Sequence, residues 1–67
     1  MPEVTIKIIE GRTLEQKRGL VKDITDAVVK HIGGSPDGVT IDIIEYSKAN
    51  KAKGGKLFID RSHSERL

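Results

Sequence analysis

Two segments with alternating polar and apolar residues flank one segment with helical periodicity, and this order constrains the possible folds. Residues 3–9 and residues 39–45 alternate with a period of two, which is typical of strands that have one covered face. Between them, apolar residues recur at steps of one, three or four, which predicts an amphipathic helix of about nineteen residues. A strand, a helix and a strand in this order predict a right-handed crossover with parallel strands.

The predicted helix has clear signals at both ends. Thr13 and Gln16 fit a capping box, in which the Thr13 hydroxyl accepts from the backbone amide of Gln16 and the Gln16 side chain reaches back. The glycine pair at residues 33–34 predicts the C-terminal end. Gly19 costs roughly 0.8 to 1 kcal/mol relative to alanine in a helix interior, and a close backbone approach would explain its presence.

The helix can cover only one face of a two-stranded sheet. The other face carries Ile9 and Ile44 beside polar residues, so we expect a second subunit to cover it. Beyond the second strand, a lysine-rich segment with glycines at 54–55 predicts a loop or hairpin that leads to a short strand at residues 57–59. Residues 61–67 are predicted to form a polar tail.

The length of 67 residues predicts one domain over residues 1–67, near the lower limit for a self-sufficient hydrophobic core. Chains of this size are usually reinforced by disulfides, metals or oligomerisation. The chain has no cysteine, and its two histidines lie too far apart in sequence for a metal-site pattern. Of the three means of reinforcement, oligomerisation is therefore the one we expect. No apolar run has the length of a signal peptide or a transmembrane segment, which predicts a cytoplasmic protein without a membrane partner.

Pro2 follows the start methionine. Methionine aminopeptidases remove a start methionine before a small residue, so we expect Met1 to be lost and Pro2 to carry a secondary amine. An ordinary α-amino group titrates at about 7.7 to 8.0, and burial or neighbouring cations such as Arg12 lower the pKa of an amine. Pro2 is therefore a candidate general base near neutral pH. The alternative interpretation is that Pro2 simply begins an edge strand.

Most of the excess positive charge lies in one segment of a chain whose net charge is +2. This segment can attract phosphates or carboxylates, and it is also typical of a solvated loop. A nucleic-acid partner is disfavoured, because base stacking uses aromatic side chains and the chain has only Tyr46 and Phe58. The cations of the segment are Lys48, Lys51, Lys53 and Lys56.

Several short motifs occur together along the chain: Pro2 after the start methionine, Glu-Gly-Arg at 10–12, Glu-Gln-Lys at 15–17, a second strand ending at Glu45, and the glycine pair at 54–55. In this combination the chain resembles the 4-oxalocrotonate tautomerase family of the tautomerase superfamily. The resemblance implies an α+β fold with a β-α-β protomer, parallel strands and a C-terminal hairpin or short strand. It also implies that protomers dimerise by joining sheets and assemble as a trimer of dimers, a homohexamer.

The same resemblance implies a cofactor-independent, metal-independent isomerase that shuttles a proton on an enol or an unsaturated 2-oxo acid. Pro2 would be the general base. Arg12 would bind a carboxylate of a small anionic substrate, since the guanidinium fork matches that group, and the backbone amide near Ile9 would help to orient the substrate. Active sites would be built from more than one subunit.

Two positions depart from the family pattern. Thr40 stands where the family usually has a second arginine that polarises the substrate carbonyl, and Lys51 stands where it usually has an aromatic residue. Oriented charge is usually the largest catalytic contribution, so Lys51 becomes a candidate substrate-binding cation. The alternatives are a non-catalytic or partner-dependent subunit of a hetero-oligomer with a tautomerase paralogue and, ranked last, a basic nucleic-acid-binding module.

Overall fold

A computed structural model describes residues 2–61 of the chain. The expected loss of Met1, and the part of the predicted tail at residues 62–67, lie outside the described residues. The longer elements are β1 (Glu3–Ile9), α1 (Leu14–Ile32) and β2 (Thr40–Tyr46), followed by a short pair, β3 (Ala52–Lys53) and β4 (Lys56–Leu57). Short 3₁₀ turns occupy Pro36–Gly38, Lys48–Asn50 and Phe58–Asp60.

The strands β1 and β2 are parallel, with a register that runs from Glu3 opposite Thr40 to Ile9 opposite Tyr46. This arrangement confirms the predicted β-α-β fold with parallel strands. The second strand begins and ends one residue later than the predicted range of 39–45. The amide of Val39 is held in the preceding turn by the Pro36 carbonyl at 3.1 Å, so Val39 does not join the ladder.

The boundaries of α1 agree with the sequence signals. The Gln16 amide donates to the Thr13 hydroxyl at 3.1 Å, and the Thr13 amide donates to the Gln16 side-chain oxygen at 2.9 Å, so the predicted capping box is confirmed. The helix ends before Gly33, whose positive φ of 95° suits glycine. We expected another backbone segment to approach Gly19 closely. None does so within residues 2–61, because a Cβ at this position would meet nothing within 4 Å. No helix in this part of the chain is long and apolar enough to cross a membrane.

The lysine-rich segment forms the predicted hairpin, in which β3 and β4 pair in an antiparallel manner. The short strand predicted at residues 57–59 is present as β4, but it lies one residue earlier and is shorter. The chain turns at Phe58 because the Arg61 amide donates back to the Phe58 carbonyl at 3.1 Å. The Arg61 guanidinium also donates to the Lys53 carbonyl at 2.7 Å, which fastens the end of the described chain to the hairpin.

Apolar side chains of the sheet pack against one side of α1, but none of the residues between 2 and 61 is fully buried. On the other sheet face Ile44 remains 46% exposed, and at the end of the helix Ile32 remains 72% exposed although its spacing places it on the apolar stripe. Burial of apolar surface is the main favourable contribution to folding. The protomer therefore leaves exposed to water much of the apolar surface whose burial would stabilise the fold. The half-buried sheet residues that face the helix are Val4, Ile6, Ile8, Ile41 and Ile43.

Candidate active site

Pro2 lies half-buried at the amino-terminal end of β1, where its carbonyl accepts a hydrogen bond of 3.1 Å from the Thr40 amide. This bond places Pro2 beside the first residue of β2, so the protomer does bring Pro2 and Thr40 together. Glu3 lies opposite Thr40 in the register. Asp42 lies opposite Thr5, the next residue of β1 on the same sheet face. The charged side chains at this end of the face that α1 leaves uncovered are thus acidic.

Arg12 lies at the other end of β1, in a hollow of about 250 Å³ between the strand and the first turns of α1. The turn that leads to it passes through Gly11, whose φ of 121° is costly for other residues. Arg12 makes no ion pair with another residue of the described chain. Its guanidinium is therefore available to bind an anion. The hollow is lined by Ile8, Arg12, Gln16, Lys17 and Leu20.

An ion pair borders the same hollow. The Lys17 ammonium lies 2.8 Å from a Glu45 carboxylate oxygen, and the two side chains are 25% and 33% exposed. The pair neutralises Lys17, which leaves Arg12 as the cation of the hollow without a carboxylate partner. Neither Lys17 nor Glu45 was singled out from the sequence as a site residue. The alternation of β2 contained the signal, because it places Glu45 on the same face as Ile43, toward α1.

Lys51 lies over two aromatic rings, with its ammonium 4.8 Å from the centroid of Tyr46 and 5.8 Å from that of Phe58. Cation–π contacts at such distances are attractive, so the two rings favour this position of the ammonium although Lys51 remains exposed. It borders a second hollow, of about 330 Å³, on the sheet face away from α1. Sequence reasoning did not link Lys51 with Lys7, because that proximity depends on the strand register. The lining residues are Lys7, Ile44, Tyr46, Asn50 and Lys51.

The backbone at Ile9 faces the open edge of β1. In a parallel pair, alternate residues of each strand bond to the neighbouring strand. The Pro2 carbonyl and the Glu10 amide both bond to β2, the latter to the Tyr46 carbonyl at 2.9 Å. The Ile9 amide, one residue before Glu10, therefore points away from β2, toward an edge with no partner strand among the described residues.

The candidate site residues are divided between the two ends of the sheet. At a rise of about 3.3 Å per residue, the seven residues of β1 separate Pro2 from Ile9 by more than about 20 Å, and Arg12 lies at the same end of the strand as Ile9. Lys51 follows β2 and lies at the same end as Arg12, on the opposite face. Charges so far apart are screened in physiological salt, where the Debye length is about 8 Å. A site that combines Pro2 with Arg12 or Lys51 therefore needs more than one copy of the chain.

The sequence profile of the tautomerase enzyme family matches residues 2–61, and the chain belongs to this family. It is 50% identical over 62 residues to a probable tautomerase of Bradyrhizobium diazoefficiens, with 92% of each chain covered. It is 45% identical over 60 residues to the 2-hydroxymuconate tautomerase of Bacillus subtilis, covering 90% of this chain and 97% of the relative. The chain is also similar to the crystal structure of YwhB, a homologue of 4-oxalocrotonate tautomerase, with a TM-score of 0.84 and 43% identity. The match covers 91% of this chain and 100% of YwhB. The resemblance seen in the sequence is confirmed.

Proposed function

We propose that the protein is a small cofactor-independent tautomerase that moves a proton on an enol or an unsaturated 2-oxo acid, with the Pro2 nitrogen as general base. The observation that carries the proposal is the position of Pro2, half-buried at the start of β1 in a chain of the tautomerase family. Support for the substrate class comes from a relative at 45% identity that is a 2-hydroxymuconate tautomerase.

The proposed reaction is an isomerisation in two proton transfers. The Pro2 lone pair takes the hydroxyl proton of the enol, so the O–H bond breaks and the negative charge spreads over the conjugated system. The resulting ammonium then returns the proton to a carbon of that system, which forms a C–H bond and a ketone. Arg12 binds a substrate carboxylate through its guanidinium fork, and the Ile9 amide, which points to an open strand edge, helps to orient the substrate.

The proposed enzyme is a homo-oligomer, with a hexamer as the expected assembly. Three observations support this: no fully buried residue within 2–61, an open edge on β1, and an uncovered sheet face. The separation of Pro2 from Arg12 along β1 gives a chemical reason as well, because a complete site then needs two copies. If this is correct, sedimentation will show a defined oligomer at micromolar concentration. A stable, folded monomer would contradict it.

A partner-dependent subunit is the second candidate. Thr40 is the side chain beside Pro2 at the start of β2, and it cannot supply positive charge to an enolate. The charged residues at this end of the sheet face are Glu3 and Asp42, and carboxylates disfavour a developing negative charge. A tautomerase paralogue in a mixed oligomer could supply the missing cation. Activity that appears only after mixing with such a paralogue would select this function.

The experiment that tests the leading proposal compares three forms of the protein after their intact masses are measured. The form that begins at Pro2 should catalyse ketonisation of phenylenolpyruvate or of a dienol. A form with one additional residue before Pro2 should lose nearly all activity, because acylation turns the basic amine into an amide. Pro2→Ala should lose much of the activity and keep the oligomer, since a primary amine of different basicity remains. Undiminished activity in the extended form would reject Pro2 as the base.

A further inference from the structure

The hollow that contains Arg12 lies beside a carboxylate of the same protomer. Ile8 lines this hollow, and Glu45 is its partner in the strand register. Paired strands are about 4.8 Å apart, and register partners project to the same face of a sheet. The Glu45 side chain therefore begins next to the wall of the hollow. A carboxylate thus lies close to the place where Arg12 is proposed to bind a carboxylate of the substrate.

Two cations line the hollow, and only one of them has a carboxylate partner within residues 2–61. The Lys17 ammonium lies 2.8 Å from a Glu45 oxygen, and the two side chains are 25% and 33% exposed. The ion pairs of the described chain do not include Arg12. The Gln16 side chain, which is polar and also lines the hollow, already accepts from the Thr13 amide at 2.9 Å. One cation of the hollow is therefore neutralised, and the other is available.

The backbone explains why the lysine holds the carboxylate. Lys17 belongs to the first turns of α1, where its amide donates to the Thr13 carbonyl at 3.1 Å, so its side chain starts from a fixed point above β2. Arg12 belongs to the turn before the helix. Without the lysine, Glu45 would be a partly shielded carboxylate with no cationic partner, which is unfavourable. Arg12 is the other cation that lines the hollow.

We propose that Lys17 is a positioning residue for anion binding, which holds the Glu45 carboxylate and so leaves the Arg12 guanidinium free for a carboxylate of the substrate. The hollow then presents one net positive charge, which matches one carboxylate. The inference deepens the proposed function and rests on it in one respect, that Arg12 binds the substrate carboxylate. It assigns Lys17 and Glu45 an effect on the affinity for anions that goes beyond their contribution to stability.

The test measures the Kd of phenylglyoxylate, a 2-oxo carboxylate without an enolisable C–H bond, by isothermal titration calorimetry on the whole protein. Lys17→Met keeps the apolar stem and releases Glu45 toward Arg12. Its Kd should rise about two- to fivefold, because the ligand must displace an ion pair of ordinary surface strength. Glu45→Gln frees a second cation beside Arg12, so its Kd should fall by about twofold. The double variant leaves Arg12 alone and should bind like the wild type.

The opposite directions separate a positioning role from a purely structural one. Both single variants break the same ion pair, so a structural role alone would lower both urea midpoints and shift both Kd values the same way. Lys22 and Asp26 are the matched control, because they form an ion pair of the same length on α1 and are not among the residues that line the hollow. Lys22→Met and Asp26→Asn make the same charge changes and should leave Kd unchanged. Lys17→Gln should reproduce Lys17→Met.

The inference is overturned if the two single variants shift Kd in the same direction, if the control variants reproduce their effects, or if phenylglyoxylate does not bind the wild type. Arg12→Ala distinguishes this failure from a failure of the proposed function. Weaker binding in Arg12→Ala with shifts of the same direction would reject the role of Lys17 alone, and unchanged binding in Arg12→Ala would reject both. Opposite shifts in a protein that does not turn over phenylenolpyruvate would support the inference and count against the proposed chemistry.

Discussion

Replacement of Arg12 by alanine should weaken the use of anionic substrates without affecting the fold. Arg12 is exposed, lies after β1 and makes no ion pair within residues 2–61, so the free energy of unfolding should change by less than about 0.5 kcal/mol. The neighbouring Lys17 cannot take over its function easily, because its ammonium is held 2.8 Å from Glu45. Arg12 is therefore the guanidinium that a substrate carboxylate would meet in this hollow.

The magnitude follows from the loss of one charged hydrogen-bond partner. Such a bond contributes roughly 1.5 to 3 kcal/mol, which corresponds to about ten- to a hundredfold in kcat/KM. A carboxylate remote from the reacting atoms is bound in both the ground state and the transition state, so most of the loss should appear in KM. Arg12→Lys should fall between the wild type and alanine, because it keeps the charge and loses the planar fork.

Steady-state kinetics with an enol 2-oxo acid measure the effect, and Arg18→Ala is the matched control. Arg18 is also near the start of α1, but it is exposed and already paired with Glu15 at 2.6 Å. Arg18→Ala removes one positive charge from the same part of the helix, but Arg18 does not line the hollow that contains Arg12. Unchanged kinetics for Arg12→Ala would refute its assignment to the site. An equal loss in Arg18→Ala would show that only the general positive field matters.

Other substitutions test separate features of the structure. Lys51→Ala should lower kcat if its ammonium stabilises the enolate, and Thr40→Arg should raise turnover of 2-oxo acid enols; unchanged kinetics in both would leave Lys51 as a surface residue. Gly19→Ala should raise the free energy of unfolding by about 0.8 to 1 kcal/mol, since a Cβ there meets nothing within 4 Å; dissociation of the oligomer would instead reveal a neighbouring copy at that position. Glu45→Gln should lower stability in urea by about 0.2 to 1 kcal/mol, because the half-buried Lys17 loses its carboxylate, and an effect independent of salt would argue against an ionic cause.

Local sequence signals predicted most of the fold. The capping box at Thr13 and the glycines after Ile32 fixed both ends of the helix, because each signal works through bonds between residues three or four apart. The strands followed from their period of two. The errors occurred where a single hydrogen bond decided the boundary, as at Val39, whose amide bonds to the preceding turn. Such a choice depends on exact geometry rather than on residue type.

Candidate site residues could be named from the sequence, and the strand predicted over residues 3–9 already separated Pro2 from Ile9 and Arg12. The structure agrees, because β1 lies between Pro2 at one end and the other two residues at the other. The positions of the side chains that follow the strands could not be predicted. The contacts of Lys51 with Tyr46 and of Lys17 with Glu45 were missed for a related reason. The contact of Lys51 with Tyr46 depends on how the chain turns after β2, and that of Lys17 with Glu45 depends on how α1 lies against β2.

The division of the candidate site has a consequence for how stability and chemistry are linked. The uncovered face belongs to the sheet of β1 and β2. Pro2, which has no cation beside it in the described part of the protomer, lies at one end of the same sheet. Covering this face would remove apolar side chains such as Ile44 from water, and a second copy would also be needed to bring a cation to Pro2, because Arg12 and Lys51 lie at the far end of the sheet. Assembly would therefore supply both the missing core and the missing charge. In a chain of 67 residues without cysteine, these two needs can be met by the same contact.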